Sequence, residues 1–115
     1  MSRPSHSRSN PRPRAPAHVF AALGDETRLL LVRKLCGGEP RSISQLTRGS
    51  RLTRQAITKH LRVLENAKIV RSVRSGRESL FQFNPQPMEE LKQYLEFVSA
   101  RWDEALSRLK LFVET

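Results

Sequence analysis

The last quarter of the chain repeats apolar residues at alternating intervals of three and four positions. The stripe consists of Met88, Leu91, Leu95, Val98, Trp102, Ala105, Leu109 and Phe112, and Tyr94, Phe97 and Leu106 widen it. Heptad spacing of this kind predicts one long helix, over about residues 87–113, with an apolar stripe along one side. A chain of 115 residues has little left to cover so long a stripe. A second copy of the chain is the most economical cover, so we predict a homodimer.

The residues before this helix divide into an arm and one domain. Residues 1–16 contain four Pro, four Ser, four Arg and no acid. Such a composition does not bury enough apolar surface to offset the entropy of ordering it. We predict a flexible basic arm over residues 1–16 and a single domain over residues 17–115. Whether the arm contacts DNA is left open.

Capping residues mark the helices of that domain. Asp25 is placed to cap a helix that ends at Gly37 and Gly38. Ser42 and Gln45 have the spacing of a capping box at the start of a short helix. Thr53 begins a further helix that runs to about residue 66. The link of four residues, 49–52, between the short helix and the helix that begins at Thr53 gives helix-turn-helix spacing.

Beyond residue 69 the apolar pattern changes to a period of two. Segments 70–74 and 79–84 flank Ser75 and Gly76, which predicts a β-hairpin that turns at those two residues. The predicted fold class is mainly α with a β-hairpin wing: a winged helix-turn-helix that dimerises through its terminal helices.

The positive charge is concentrated in the middle of the chain. There are 21 Lys and Arg against 11 Asp and Glu, a net charge of +10. Residues 41–77 hold ten basic side chains and one acid, whereas residues 88–115 hold four basic and six acidic side chains.

Such a charge points to nucleic acid or an anionic membrane as the partner. A membrane-binding helix combines an apolar stripe with a basic face. Here the two features lie in different segments, so we predict double-stranded DNA as the partner and no membrane contact.

The helix that begins at Thr53 carries side chains suited to the major groove, which is wide enough for an α-helix. Arg54 has the donors for the O6/N7 edge of guanine, and Gln55 matches the N6/N7 edge of adenine. Thr58 offers a hydroxyl or a methyl group to a thymine.

Other basic residues are expected to hold the DNA backbone. Lys59 and Arg62 lie further along the same helix and suit phosphates. Arg74 and Arg77 flank the hairpin tip, where a wing lies over the backbone.

Three segments resemble the ArsR/SmtB family of bacterial winged helix regulators: residues 20–29, residues 54–64 and the wing 75–78. The resemblance covers residues 17–113. It implies a homodimer joined through its first and last helices, acting usually as a repressor released by a ligand. The implied interface residues are Val19, Phe20, Leu23, Leu91, Leu95, Val98, Trp102 and Leu109. The implied DNA-facing residues are Thr53, Arg54, Gln55, Thr58, Lys59 and His60.

The chain departs from this family in two respects. Lys68 stands where the family usually has Gly after the recognition helix, and a left-handed conformation there costs Lys about 1–2 kcal/mol. The segment 42–48 has no thiol or carboxylate, and the last helix has no His. We therefore predict no metal site and no cofactor. Cys36 ends an apolar helix and is expected to be a small buried hydrophobic residue.

The predicted function is sequence-specific regulation of transcription, by repression, from an inverted-repeat operator. No nucleophile–base pair or phosphate-binding loop is evident, so no enzymatic activity is predicted. The single Cys and the lack of an apolar segment after the basic N-terminus favour the cytoplasm, on the nucleoid. Two alternatives stay open: a winged helix used for protein assembly or non-specific nucleic-acid binding, and a repressor that responds to a small organic ligand bound near Trp102. The operator and the effector are not predicted.

Overall fold

Eight elements make up the domain in the computed structural model, which describes residues 16–114. The predicted arm, apart from its last residue, lies outside the described residues. In chain order the elements are α1 (Ala17–Leu23), α2 (Glu26–Leu35), β1 (Arg41–Ser42), α3 (Ile43–Thr47), α4 (Arg54–Asn66), β2 (Val70–Ser75), β3 (Glu78–Phe83) and α5 (Gln86–Glu114).

Side-chain caps fix where α2, α3 and α4 begin. Asp25 and Thr53 each accept a hydrogen bond from the backbone N–H three residues later, at 3.1 and 3.0 Å. Ser42 accepts from the N–H of Gln45 at 3.1 Å, and the side-chain carbonyl of Gln45 accepts from the N–H of Ser42 at 2.8 Å. The predicted caps and capping box are therefore confirmed, because each satisfies a backbone donor that the helix itself leaves unpaired.

A single apolar core lies among α1–α4 and the sheet. Its buried members are Val19, Ala22, Leu31, Leu35, Leu46, Ile57, Leu61, Leu64, Ala67, Ile69, Val70 and Phe81. The start of α5 joins this core through Met88 and Leu91, which are partly buried against it.

Two predictions about burial were wrong. Val19 was assigned to the dimer interface, but its side chain is 0% exposed within its own chain and has no surface to offer a partner. Cys36 was expected to be buried, yet it is exposed, and its Sγ donates to the carbonyl of Arg33 at 3.3 Å. The residue lies at the C-cap of α2, one position past the apolar stripe of that helix.

The wing is part of a three-stranded antiparallel sheet in the order β1–β3–β2. Strand β1 was not predicted, since two residues are too few to show an alternating pattern. Ser75 pairs with Glu78, so the hairpin loop is Gly76 and Arg77, one residue later than predicted. Gly76 has a φ of +63°, the left-handed value that a type II′ turn requires at its first loop residue.

The exit from α4 is a Schellman motif with Lys68 at its left-handed position. Lys68 has a φ of +66°, so the position where the family usually has Gly is left-handed in this chain. The N–H of Lys68 donates to the carbonyl of Glu65 at 2.9 Å, and the N–H of Ile69 donates to the carbonyl of Leu64 at 3.0 Å. Leu64 and Ile69 are both 0% exposed, so the apolar contact typical of this motif is also present.

We predict that Lys68→Gly raises the free energy of unfolding by about 1 kcal/mol, because glycine adopts a positive φ without steric cost. Lys68→Ala is the matched control, since it removes the charge and keeps the Cβ. Urea denaturation of the two variants measures the difference. An equal stability of Gly and Ala at this position would contradict a strained Lys68.

Candidate nucleic-acid interface

Helices α3 and α4 are held at a fixed angle by apolar contacts at the turn between them. Leu46 of α3 and Ile57 of α4 are 0% and 1% exposed. In the link, the N–H of Leu52 donates to the Ser50 hydroxyl at 3.0 Å, and Gly49 adopts a φ of +78°. The core and a hydrogen-bonded turn therefore both constrain the orientation of α4.

Helix α4 has one buried and one exposed face. Ile57, Leu61 and Leu64 point into the core. The side chains of Thr53, Arg54, Gln55, Lys59 and Arg62 are exposed, and that of Thr58 is half-buried. The structure therefore brings six of the predicted DNA-contacting residues together on the solvent side of one helix.

The guanidinium of Arg54 is positioned by a residue that the sequence analysis missed. Its Nη1 donates to the hydroxyl of Ser44 on α3 at 2.7 Å. Four N–H donors of the guanidinium remain for other partners. Ser44 is an exposed serine on a five-residue helix, and no sequence pattern distinguishes it from a solvated side chain.

Thr58 has a similarly fixed orientation. Its Oγ1 donates to the backbone carbonyl of Arg54 at 2.7 Å. This internal bond uses the hydroxyl proton, so the group left for a partner is an acceptor oxygen together with the methyl group.

The wing arginines are exposed, and the wing is joined to α4 by one side-chain bond. Arg74 and Arg77 are both exposed on the hairpin. The hydroxyl of Ser72 on β2 donates to Oε2 of Glu65 on α4 at 2.9 Å. Glu65 is the single acid among residues 41–77, and this bond connects the wing to the C-terminal part of α4.

His60 is placed differently from the other predicted DNA contacts. Its Nδ1 lies 3.1 Å from Nη1 of Arg28 and 3.8 Å from Oδ2 of Asp25, and its side chain is 24% exposed. It therefore interacts with the N-terminal turn of α2. We leave His60 out of the proposed DNA contacts.

The carboxylate of Asp25 is stabilised in its charged form. The backbone N–H of Arg28, which donates to it, lowers the pKa of Asp25, and this effect outweighs the opposing effect of desolvation. The nearby His60 and Arg28 side chains lower the same pKa further. The Asp25 cap therefore stabilises the fold at pH values above the ordinary pKa of Asp. This stabilisation is lost as the pH falls through the lower pKa of Asp25 in the folded state.

A recognition helix with a polar exposed face and an adjoining basic hairpin define a winged helix-turn-helix protein. Comparison with known proteins gives the family. Residues 25–72 match the family described as "Bacterial regulatory protein, arsR family". The chain is 39% identical over 79 residues to the HTH-type transcriptional regulator YuzN of Bacillus subtilis. The matched region covers 64% of this chain and 86% of YuzN. It is 31% identical over 83 residues to the HTH-type transcriptional regulator Rv2034 of Mycobacterium tuberculosis, covering 72% and 77%.

Solved structures agree with this assignment. An ArsR-like transcriptional regulator from Rhodococcus sp. RHA1 matches with a TM-score of 0.71 and 37% identity, over 84% of this chain and 91% of that one. A homodimeric winged helix-turn-helix DNA-binding domain from Mycobacterium bovis shares the fold with a TM-score of 0.55 and 21% identity, over 80% and 82%. The chain belongs to the ArsR family and is a DNA-binding transcriptional regulator, which confirms the resemblance in its sequence. Its relatives are regulators rather than enzymes.

Across residues 16–114, no three His, Cys, Asp or Glu side chains come together as metal ligands. None of the helices in this range has the length and apolar character needed to cross a membrane.

We predict that Ser44→Ala lowers the affinity for a specific duplex by about 1 kcal/mol, the typical value of one hydrogen bond, because the Arg54 guanidinium loses its fixed orientation. Ser107→Ala, at an exposed serine on α5, is the control. Fluorescence anisotropy with a duplex selected by the wild-type chain measures both. An unchanged affinity of Ser44→Ala would show that this bond does not position Arg54 for DNA.

Proposed function

We propose that the protein is a homodimeric, sequence-specific repressor that binds an inverted-repeat operator on the bacterial nucleoid in the cytoplasm. The observation that supports this most directly is that two surfaces of different character are exposed in different parts of the chain. The polar face of α4 and the basic wing are exposed in the middle part of the sequence, and the apolar stripe of α5 is exposed in its last quarter. The first surface suits DNA, and the second suits another copy.

Base recognition is assigned to the start of α4. Arg54 is proposed to bind the O6/N7 edge of a guanine and Gln55 the N6/N7 edge of an adenine, as these side chains do in major grooves. Thr58 would contact a thymine methyl, since its hydroxyl proton is already bonded to the Arg54 carbonyl. Thr53, at the N-cap, is proposed to contact the same groove or its edge.

The remaining basic residues are assigned to phosphates. Lys59 and Arg62 are exposed further along α4, and Arg74 and Arg77 are exposed on the wing. Contacts of this kind fix the register of the protein on the duplex and add affinity without sequence preference.

The dimer is assigned to α5 together with α1. Leu95, Trp102 and Leu109 on the stripe are 49%, 62% and 57% exposed. Exposed apolar residues in a continuous row of this length mark an interaction surface. Val98 lies on the same stripe and is half-buried, and Leu91 is partly buried against the core at its start.

Helix α1 contributes to the same surface. The rings of Phe20 on α1 and Tyr94 on α5 meet edge to face with centroids 6.0 Å apart. Phe20 is 40% exposed, and Leu23 is partly buried against the core. Both side chains therefore retain some exposed surface, and that of Phe20 lies beside α5, where a second copy would cover it.

A second candidate is a repressor that responds to a small organic molecule. A cavity of about 850 Å³, lined by residues that include His18, Lys68, Asn84 and Glu90, lies between the starts of α1 and α5 and the exit of α4. It has the size of small-molecule sites and lies away from Trp102, where the sequence analysis had placed such a ligand. A ligand bound there would raise the thermal stability of the free protein and lower its affinity for DNA.

We predict that Leu109→Glu converts the dimer to a monomer, because the substitution places a charge on the apolar stripe. Ser107→Glu is the matched control, as it adds the same charge to the opposite side of the same helix. Sedimentation equilibrium at micromolar concentration distinguishes the two. If Leu109→Glu stayed dimeric, or if the wild-type chain were monomeric, α5 would not be the dimer interface.

We also predict that the two groups of arginines affect binding differently. Arg54→Ala should lower the preference for the duplex upstream of the protein's own gene over a random duplex by about 5- to 150-fold, since a bidentate base contact is worth about 1–3 kcal/mol. Arg77→Ala should weaken both duplexes about equally.

Competition between the two duplexes at physiological salt measures this preference. A wild-type preference close to one would contradict sequence-specific repression and would favour a non-specific or protein-assembly role. An equal loss of preference in both variants would contradict the division of roles between α4 and the wing.

A further inference from the structure

A polar cluster connects the helix at the dimer side to the helix at the DNA side. The Nε of Arg28 donates to the carbonyl of Ala22 at the end of α1, at 2.6 Å. The Nη1 of the same guanidinium lies 3.1 Å from Nδ1 of His60 on α4. One side chain of α2 therefore contacts α1 and α4 together, and α1 in turn contacts α5 through the Phe20–Tyr94 ring pair.

The chemistry of the two groups limits how Arg28 and His60 can form a hydrogen bond. A guanidinium has only donors. A hydrogen bond between Arg28 Nη1 and His60 Nδ1, which are 3.1 Å apart, therefore needs Nδ1 to accept with its lone pair, as it does in the neutral tautomer with its proton on Nε2. The carboxylate of Asp25 is 3.8 Å from the same nitrogen. That separation is too long for a hydrogen bond, so the contact with Arg28 is the one that defines this state.

We propose that Arg28 is a positioning residue that holds α4 in its DNA-reading orientation through neutral His60, and that protonation of His60 releases this hold. The inference rests on the proposed sequence-specific DNA binding. His60 follows directly after Lys59 and lies one turn after Ala56, so it belongs to the same turns of α4 as the base-reading residues. A small rotation of this part of α4 moves those side chains relative to the base edges.

Protonation changes the partners of His60 in a defined way. The proton added from solvent occupies Nδ1, which then has no lone pair to accept the Arg28 N–H. Two cations face each other at this distance, and the Asp25 carboxylate becomes the favourable partner of the imidazolium. The Arg28 side chain remains bonded to α1 and loses its bond to α4.

The charged groups that contact this imidazole are Arg28 of α2 and Asp25 at the N-cap of that helix. Its neighbours three and four positions away on α4 are uncharged: Ala56, Ile57, Val63 and Leu64. The titratable side chain of α1 is His18, which lines the cavity beside Lys68 at the other end of that helix.

The test compares wild type with His60→Asn and His60→Ala. The side-chain oxygen of Asn takes the position of Nδ1 and accepts from Arg28 at every pH, whereas Ala offers no acceptor at any pH. The probe is the duplex that the full wild-type chain selects from a random library at pH 8, with an unselected random duplex as the reference. Fluorescence anisotropy gives Kd for both duplexes at pH 8 and pH 5.5, a range over which imidazoles change charge. Circular dichroism at both pH values shows that each variant is folded.

The expected result is a wild-type Kd for the selected duplex that rises about tenfold more between pH 8 and pH 5.5 than that of His60→Asn. His60→Ala should bind this duplex about tenfold more weakly than wild type already at pH 8, without the additional loss at pH 5.5. The random duplex should show no such difference among the three proteins, since phosphate contacts do not depend on the exact orientation of α4.

Two results would overturn the inference. If the ratio of Kd at pH 5.5 to Kd at pH 8 were equal for wild type and His60→Asn, protonation of His60 would not affect binding. A wild-type affinity that rises at pH 5.5 relative to His60→Asn would show that His60 contacts phosphate directly as a cation. A wild-type chain that prefers no duplex at pH 8 would instead contradict the proposed function, and this inference with it.

Discussion

The packing of α4 against the core is the interaction on which the rest of the structure depends. Ile57, Leu61 and Leu64 are at most 1% exposed, and full burial of such side chains contributes about 1.5–3 kcal/mol each. A helix repeats every 3.6 residues. When these three positions are buried, the side chains of Arg54, Gln55, Lys59 and Arg62 must therefore project into solvent. The exposure of the side chains that we propose to contact DNA is thus a direct consequence of core packing.

Charge and apolar surface are separated along the chain, and this separation suits the two segments to different partners. The strongly basic residues 41–77 contain the recognition helix and the wing, and the slightly acidic α5 carries the exposed apolar stripe. A dimer formed through α5 would keep its own acidic side chains away from phosphates and present two copies of α4 to one duplex. Half-sites then follow the two-fold symmetry of the protein, about one helical turn apart. The Arg28–His60 contact gives this arrangement a physical connection between its two ends, because it joins α1 to α4.

Features determined by neighbouring residues in the sequence could be predicted. The caps at Asp25, Ser42 and Thr53 depend on a few consecutive residues, and the extent of α5 depends on one continuous periodic segment. The structure confirms them. The hairpin was predicted one residue too early, since a type II′ turn selects the position of Gly76 rather than the centre of the polar segment.

Features that depend on distant residues could not be predicted. Val19 lies on the same short apolar face as Phe20, and only the packing of α1 on the core shows that one is buried and the other exposed. Ser44 and Arg54 are ten positions apart, and Arg28 and His60 are 32 apart. No periodicity connects such pairs. The residues proposed to contact DNA could therefore be recognised as one helix face, whereas the residues that contact them from other elements could be found only from the fold.

Selection of binding sites from genomic DNA by the full chain, followed by sequencing of the bound fragments, tests the central claim most directly. A dimer that presents two α4 helices should select an inverted repeat whose half-sites are separated by about 10 base pairs or a multiple of that distance. A single unrepeated half-site, or enrichment without any shared sequence, would contradict a dimeric reader of the major groove.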